Sequence, residues 1–215
     1  MSAEVLITGI TPISDIYVRS NLHSLHFLLK EGELMKIVEV SDRYINYLKE
    51  YFPKTLLDNK QGCRKHTRKY LGVIFKINEY NYFAPLSSPK KSDYLENGEI
   101  RKSSVSIIRM TISKKYKKLL LGTIKLNNMI PVPLSEVLEY DIKKEIDLSY
   151  RDLVQDEYNW IIRNKMLIYS RALNLYFRKN KETSILNQSN LKFFQSIIPF
   201  KEAEIKCDEF AKILV

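Results

Sequence analysis

One short segment of the chain concentrates side chains that could act on a phosphate group. In Ala84-Pro85-Leu86-Ser87-Ser88-Pro89-Lys90-Lys91, two hydroxyls and two ammonium groups follow the end of an apolar run. Pro89 fixes its own φ and restricts Ser88 to extended geometry, so the side chains of Ser88 and Lys90 are held within a narrow range of directions. Such a corner can present hydroxyl and cationic donors to one anionic group.

This set of groups would be sufficient in principle to cleave RNA. The ribose 2′-hydroxyl supplies the nucleophile, so the protein need only remove its proton, stabilise the charged phosphorus intermediate and assist the departing 5′-oxygen. A lysine whose pKa is lowered by partial burial and by a cationic neighbour can transfer protons near neutral pH. Lys90 is the candidate for this role and Lys91 is the candidate neighbour. The alternative interpretation is an ordinary Ser-Pro turn followed by surface lysines.

Metal sites and other classes of enzyme have little support in the sequence. Cys63-x-x-His66 is half of a zinc-binding pattern without a second Cys/His pair at suitable spacing, and the carboxylates form no short acidic cluster. A Gly-x-Ser-x-Gly elbow and a glycine-rich phosphate loop are both missing from the sequence. We therefore expect chemistry that needs no metal ion and no other cofactor.

The charge of the chain points to a polyanionic partner. The formal net charge is +10, and residues 1–34 hold two basic and four acidic side chains, which leaves 33 basic and 21 acidic side chains in the remainder. Nucleic acid is the first candidate for such a surplus, and 14 tyrosines could stack on the bases of single-stranded RNA. The residues predicted to contact RNA are Arg64, Lys65, Lys69, Lys91, Lys114, Lys115, Tyr116, Lys117 and Lys118.

The hydrophobic pattern predicts the elements that must position these groups. The predicted strands are Lys36–Val40, a hairpin of Lys69–Ile77 and Tyr82–Leu86, and the pair Val105–Ile112 and Leu119–Leu126, joined by the basic residues 113–118. The predicted helices are Asp42–Tyr51, capped by Ser41, one long helix from about Tyr150 to Phe177, and Ala203–Ile213. This order predicts an α+β fold with helices packed on a strongly bent antiparallel sheet.

Residues 1–34 differ from the rest of the chain in the sign of their charge and in lacking a sustained hydrophobic period. We predict an N-terminal extension at 1–34, which could be a leader, a start assigned too early or a native segment, and a working domain at 35–215. No stretch approaches the roughly 20 apolar residues of a membrane span, and the N-terminus lacks the features of a signal peptide. With two cysteines, a reducing cytoplasm is the expected compartment.

From Met35 onward the chain resembles the ToxN/AbiQ family of type III toxin–antitoxin and abortive-infection toxins. The resemblance is strongest at Tyr82-Phe83-Ala84-Pro85-Leu86-Ser87-Ser88-Pro89-Lys90-Lys91 and recurs at Ile124-Lys125-Leu126-Asn127-Asn128-Met129-Ile130-Pro131. It runs in order along most of residues 35–180. It implies a fold similar to that of the Kid/MazF toxins, a twisted antiparallel sheet surrounded by helices.

The same resemblance implies a function and a set of site residues. It implies a sequence-selective endoribonuclease that needs no metal, leaves a 2′,3′-cyclic phosphate and acts in phage defence or growth arrest. Its antitoxin would be an RNA pseudoknot, with toxin and RNA alternating in a closed ring and with no protein antitoxin. The active-site Ser-Pro-Lys falls on Ser88, Pro89 and Lys90, and the preceding hydroxyl on Ser87. A basic position falls on Arg68, where lysine is expected; since arginine cannot act as a base, phosphate binding is the role assigned to Arg68. Arg64 stands where an aromatic residue is expected.

Two other functions fit part of the same pattern. A non-catalytic RNA-binding module would use the lysines for affinity alone, and a Kid/MazF-type toxin would share the chemistry but have a protein antitoxin. A transcription regulator is a weaker alternative, because the basic clusters show no helix–turn–helix pattern. Cut RNA ends would exclude the non-catalytic RNA-binding module. The DNA upstream of the gene would distinguish an RNA antitoxin from a protein antitoxin.

Overall fold

The computed structural model describes residues 35–56, 58–59, 65–180 and 188–213. Its strands are β1 (Lys36–Val40), β2 (Tyr70–Ile77), β3 (Tyr80–Ser87), β4 (Ile107–Lys114), β5 (Lys117–Lys125), β6 (Ile130–Pro131) and β7 (Val137–Glu139). Its helices are α1 (Asp42–Tyr51), α2 (Leu148–Arg163), α3 (Lys165–Asn180), α4 (Gln188–Gln195) and α5 (Phe200–Ile213). The predicted extension at 1–34 lies outside the described residues.

The strands form one seven-stranded antiparallel sheet in the order β4-β5-β3-β2-β1-β7, with β6 paired to β3. Strand β3 is central to the site, because its first part pairs with β2 and β6 whereas its end, Leu86 and Ser87, pairs with Ile124 and Thr123 of β5. A bulge interrupts β2 between Leu71 and Phe75, and bulges bend a sheet. The predicted α+β class, with its twisted antiparallel sheet and helices, is confirmed.

Helix α1 forms where its local signals place it. Ser41 accepts a hydrogen bond from the backbone N–H of Tyr44, and Pro53 stands just after the last residues of the helix. Tyr44, Ile45 and Leu48 form its buried face. The predicted and observed bounds of this helix agree, because the N-terminal cap, the helical spacing of the apolar residues and the proline that ends the helix all lie between Ser41 and Pro53.

The predicted long helix from about Tyr150 to Phe177 is wrong in one respect, since the chain forms two helices that meet at Asn164. The backbone N–H of Asn164 bonds to the carbonyls of Trp160 and Ile161, and its side-chain amide donates to the carbonyl of Trp160 at 2.7 Å. These bonds satisfy carbonyls that a helix end leaves without partners. Lys165, which interrupts the predicted apolar stripe, opens the second helix and is exposed.

The predicted basic loop at 113–118 is also shorter than expected. Strands β4 and β5 continue into it, so that Lys114 pairs with Lys117 and only Lys115 and Tyr116 form the turn. Both have positive φ, 43° and 68°, as the two central residues of a tight type I′ hairpin turn require. The sequence did not predict this turn because it lacks the Asn-Gly or Asp-Gly pair that usually marks it.

The core lies between the sheet and helices α3 and α5. Tyr82 and Tyr176 are buried there and both donate hydrogen bonds to Oε1 of Glu204, at 2.8 and 2.7 Å. Tyr44 and Tyr70 are buried as well, so these four tyrosines build the interior and are not available to stack on RNA bases. No helix in the described part of the chain is long and apolar enough to cross a membrane.

Candidate functional site

The site is built at the corner where β3 ends. Ser87 closes the strand, is 5% exposed and pairs with Thr123 of β5. Ser88, Pro89 and Lys90 follow as exposed residues and lead into a single helical turn, Lys91–Asp93. The end of the strand therefore places a buried serine and an exposed lysine within four residues of each other.

Asp93 holds this corner in place. Its carboxylate accepts a hydrogen bond from the backbone N–H of Lys90 at 3.0 Å, and its own N–H donates to the carbonyl of Lys90 at 2.9 Å. The same carboxylate also accepts a hydrogen bond from Nε of Arg109 at 3.1 Å and forms an ion pair with its Nη2 at 3.0 Å. Because the Asp93 side chain is 3% exposed and that of Arg109 is 9% exposed, this ion pair is shielded from water and salt. The Lys90 backbone is thereby tied to strand β4.

Beside the corner lies a cleft of about 190 Å³. The residues that line it are Leu56, Arg68, Tyr70, Pro85, Ser87, Lys90, Ile107, Lys125, Asn127 and Asn128. They come from the loop after α1, the beginning of β2, the ends of β3 and β5, the beginning of β4 and the helical turn Leu126–Asn128. Three cations and three neutral polar side chains thus share one cleft with apolar walls, which suits a phosphodiester and its attached sugar.

The wall that carries Arg68 is fixed by backbone hydrogen bonds. The N–H of Arg68 donates to the carbonyl of Asn59 at 3.1 Å, and the carbonyl of Lys69 accepts from the N–H of Leu86 at 2.8 Å. Asn59 is itself buried, and its amide donates to the carbonyl of Val40 at 2.7 Å. Arg68 therefore lies against a hydrogen-bonded framework, and it lines the cleft together with Lys90.

Lys125 is the most deeply placed lysine of the cleft. It is half-buried at the end of β5, and burial is the main cause that lowers the pKa of its ammonium group. The charges of Lys90, Arg109 and Arg68 lower that pKa further, whereas Asp93 acts in the opposite direction. A lysine in these surroundings has a larger neutral fraction than a surface lysine, and its neutral amine can accept a proton.

The structure brings only part of the predicted catalytic set together. Ser87, Lys90 and Arg68 line the cleft, whereas Ser88 and Lys91 are exposed beside the corner and are not among the lining residues. Ser87, rather than Ser88, is the serine that lines the cleft with these cations, and its pairing with Thr123 fixes its place at the end of β3. Thr123 lies beside it on β5, and its hydroxyl donates to the carbonyl of Ser87 at 3.4 Å.

The predicted RNA contacts around residues 64–69 differ from the expectation of an open basic surface. Lys69 is as buried as Arg68 but does not line the cleft; it forms an ion pair with Glu39 and lies 3.9 Å from the ring centroid of Tyr140, so its position favours a structural role rather than RNA contact. Lys65 is exposed but pairs with Asp147 at 2.5 Å, and this hydrogen bond helps to lower the pKa of Asp147 to about 2. Arg64 lies outside the described residues.

The second predicted RNA-binding cluster lies at the other end of the β4–β5 hairpin. Lys114, Lys115, Lys117 and Lys118 are exposed, and Tyr116 at the apex is fully exposed. Since Ile107 pairs with Lys125 at the cleft and Lys114 pairs with Lys117 at the tip, roughly 25 Å of strand separates the two ends. The tip is therefore a separate surface, and Lys114 is partly neutralised by Asp156 at 3.1 Å.

Reasoning from the sequence missed four residues that line the cleft or hold its corner. Lys125, Asn127 and Asn128 lie in the segment 124–131, whose family resemblance was recognised without a role being given to any side chain. Asp93 had no local signal, because its partner Arg109 is 16 positions away and only the fold brings them together. Among the described residues, no group of three or more His, Cys, Asp or Glu side chains is arranged to hold a metal ion.

Comparison with known proteins places this geometry among bacterial toxins. The family model described as toxin ToxN of the type III toxin–antitoxin system matches residues 36–205. A relative named endoribonuclease ToxN, from Bacillus thuringiensis subsp. kurstaki, is 29% identical over 180 residues, which cover 81% of this chain and 84% of the relative.

Two solved structures have a similar fold. One comes from work on selective inhibition of type III toxins by a non-coding RNA pseudoknot; it has a TM-score of 0.64 and 27% identity and covers 82% of this chain and 97% of its own. The other is AbiQ, described as a lactococcal anti-phage endoribonuclease of a type III system. It has a TM-score of 0.60 and 25% identity, and the match covers 83% of this chain and 98% of that one.

Proposed function

Because the chain belongs to the ToxN family of type III toxin–antitoxin toxins, we propose that it is an endoribonuclease that cleaves RNA in the cleft beside Ser87 and Lys90 without a metal ion. One observation carries the proposal: Arg68, Lys90 and Lys125 come from three separate segments and line the same cleft. Gathering three like charges is unfavourable unless an anion joins them, and a phosphodiester has that charge and size.

The residues of the cleft have separate roles in the proposed transesterification. Arg68 binds the scissile phosphate through its guanidinium, which matches two phosphate oxygens. The hydroxyl of Ser87 donates to the same group, and the ammonium of Lys90 stabilises the charge that develops as the 2′-oxygen attacks. The RNA supplies its own nucleophile, so the product carries a 2′,3′-cyclic phosphate on one side of the cut and a 5′-hydroxyl on the other. Ser88 and Lys91 support the corner from outside the cleft.

The proposal includes an RNA antitoxin and a role in the cytoplasm. A folded non-coding RNA inhibits the structurally similar toxin, and the exposed cations of this chain suit the same kind of partner. Toxin and RNA would alternate in a closed ring that blocks the cleft, and infection by phage would release the active enzyme. Short tandem repeats in the DNA upstream of the gene support an RNA antitoxin; a small acidic reading frame there supports a protein antitoxin instead.

Cleavage of a long RNA in EDTA tests the enzymatic proposal. The parent protein is expected to produce discrete fragments whose ends carry 2′,3′-cyclic phosphate, and Lys90→Ala is expected to cut at least about 100-fold more slowly. Gel analysis with 3′-end mapping gives both results. The proposal is wrong if EDTA stops the cleavage or if Lys90→Ala cuts as fast as the parent, and tight RNA binding without cut ends would instead indicate a non-catalytic RNA-binding module.

A further inference from the structure

Lys125 is held on the same face of the sheet as the serine of the cleft. Ser87 pairs with Thr123 and Leu86 with Ile124, so the antiparallel register sets Pro85 opposite Lys125. Side chains two positions apart point to the same face of a strand, which places Lys125 beside Pro85 and Ser87. All three residues line the cleft. Lys125 thus approaches the site from β5, whereas Lys90 approaches it from the corner after β3.

The surroundings of Lys125 differ from those of the other two cations. Lys90 is exposed to solvent at the mouth of the cleft, and Arg68 is a guanidinium, which stays protonated in proteins. Lys125 is half-buried, and the charged groups that act on it among the described residues are Asp93, Lys90, Arg109 and Arg68. Burial is the largest influence and favours the neutral amine; the three cations act in the same direction, and Asp93 opposes them. The cleft therefore holds a potential proton acceptor together with a guanidinium and a solvent-exposed lysine.

On the premise that the chain cleaves RNA in this cleft, we propose that Lys125 is a further catalytic residue, whose neutral amine accepts the proton of the attacking 2′-hydroxyl. The 2′-oxygen forms its bond to phosphorus while Lys125 gains that proton. The bond between phosphorus and the 5′-oxygen breaks, and the 5′-oxygen takes a proton from the ammonium of Lys90. One proton is gained by Lys125 and one is lost by Lys90, and exchange with water restores both groups before the next turnover.

Replacement by arginine separates proton transfer from charge. Lys125→Arg keeps a cation in the cleft but removes the base, so single-turnover cleavage should fall roughly 100-fold or more while RNA affinity stays within about twofold of the parent. Lys76→Arg is the matched control, because Lys76 also lies on a strand, is 47% exposed and does not line the cleft. Its cleavage rate should equal that of the parent. Thermal melting of each variant confirms that it is folded.

Rescue by an added amine provides a second readout. Lys125→Ala leaves a space in the cleft, and ethylamine or a less basic fluorinated ethylamine should restore part of the lost rate. The acidic limb of the pH–rate profile should then shift to lower pH with the less basic amine, as expected for a general base. The same amines should not rescue Lys90→Ala in this pH-dependent way.

The outcomes distinguish this proposal from the one on which it rests. If the parent cuts RNA in EDTA but Lys125→Arg cuts equally fast, the positive charge alone is needed and the proton-acceptor role is overturned while the endoribonuclease stands. The same conclusion follows if Lys125→Ala is folded and inactive but no amine alters its pH–rate profile. If the parent leaves RNA uncut, the proposed function fails and the role of Lys125 fails with it.

Discussion

The two ends of the β4–β5 hairpin present lysines in opposite settings. At the cleft end, Lys125 is half-buried and lies within the field of Arg68, Lys90, Arg109 and Asp93. At the tip, the lysines flank a fully exposed Tyr116 and are themselves exposed, and Lys114 makes a solvent-exposed ion pair with Asp156. The same residue type, on the same two strands, therefore lies in two different environments.

The difference indicates which lysines can do chemistry. A lysine can accept a proton near neutral pH only where burial and neighbouring cations lower its pKa, and a rigid framework must hold the group against the phosphate. An exposed lysine keeps its hydrated ammonium, which attracts RNA over a distance of about 10 Å at moderate salt. We expect substitutions at the cleft end to change the rate of cleavage and substitutions at the tip to change RNA affinity.

The largest effect is expected at Asp93, which anchors the cleft end. Asp93→Asn removes the charge that faces Arg109 in a buried setting and turns part of the acceptor into a donor. Loss of one partner of such a pair costs about 3 kcal/mol in the free energy of unfolding. Because the Lys90 backbone also loses its anchor, cleavage should fall by roughly 100-fold. Urea unfolding and initial cleavage rates measure the two effects.

Asp156→Asn is the matched control at the tip. The side chains of Asp156 and Lys114 are 39% and 61% exposed, and an ion pair in that setting contributes at most about 1 kcal/mol. Its unfolding free energy and cleavage rate should both remain close to those of the parent. Equal losses of stability and cleavage rate in Asp93→Asn and Asp156→Asn would contradict the distinction between the cleft end and the tip of the hairpin.

The sequence predicted those parts of the molecule whose signals are local. Ser41 and Pro53 marked both ends of α1, alternation marked β1, and the Ser-Pro-Lys segment marked the corner after β3. The break at Asn164 and the turn at Lys115 and Tyr116 were missed, because helical period and composition continue across both positions. In each case side-chain capping or strand pairing, rather than propensity, decides the geometry.

Sequence spacing predicted the part of the cleft whose residues are neighbours, Ser87 and Lys90, and the family resemblance added Arg68. Lys125 reaches the cleft through the pairing of β3 with β5, and Asp93 reaches the corner through its contact with Arg109. No spacing rule reports such encounters between distant segments. The same limitation explains Lys69, whose basic neighbours suggested RNA contact and whose burial follows from its ion pair with Glu39 on β1.

The middle of β5 offers the next test, since Glu157 of α2 lies behind Gly122. A β-carbon at Gly122 would lie 2.2 Å from Oε1 of Glu157, so the glycine makes room for the carboxyl. Burial raises the pKa of Glu157 to about 8. The folded protein therefore holds a proton that the unfolded chain releases above about pH 4.5, and the parent loses stability as pH rises from 5 to 8.

Glu157→Gln should remove this pH dependence. The unfolding free energy of the variant relative to the parent is expected to increase with pH between 5 and 8, by at most about 1.4 kcal/mol per unit. Urea midpoints at each pH measure it. Glu209→Gln is the control, because Lys206 holds the pKa of Glu209 below its usual value and its contribution is constant above pH 5. A constant difference for Glu157→Gln would mean that the carboxyl is ionised in the fold.

At the tip we expect changes in affinity with little change in rate. Replacing Lys115, Lys117 and Lys118 together by alanine should make the dependence of RNA affinity on salt shallower, by a slope of about 2 in a double-logarithmic plot for single-stranded RNA. The single-turnover rate at saturating RNA should change less than about threefold. Filter binding at several salt concentrations and rapid quench measure the two quantities. A large loss of cleavage rate at saturating RNA would mean that the lysines of the tip take part in the cleavage step itself.

The smallest effect concerns the turn itself. Tyr116 has φ 68°, a conformation that glycine adopts without strain, so Tyr116→Gly should stabilise the fold by roughly 0.5–1 kcal/mol in urea unfolding. Tyr116→Phe keeps the strained backbone and should leave stability unchanged. If Tyr116→Gly also weakens RNA binding while Tyr116→Phe does not, the ring is kept at this strained position for stacking on a base. If neither substitution alters RNA binding, electrostatic attraction by the lysines alone explains the RNA affinity of the tip. The tip would then differ from the cleft, where the cations are held in fixed positions around the phosphate.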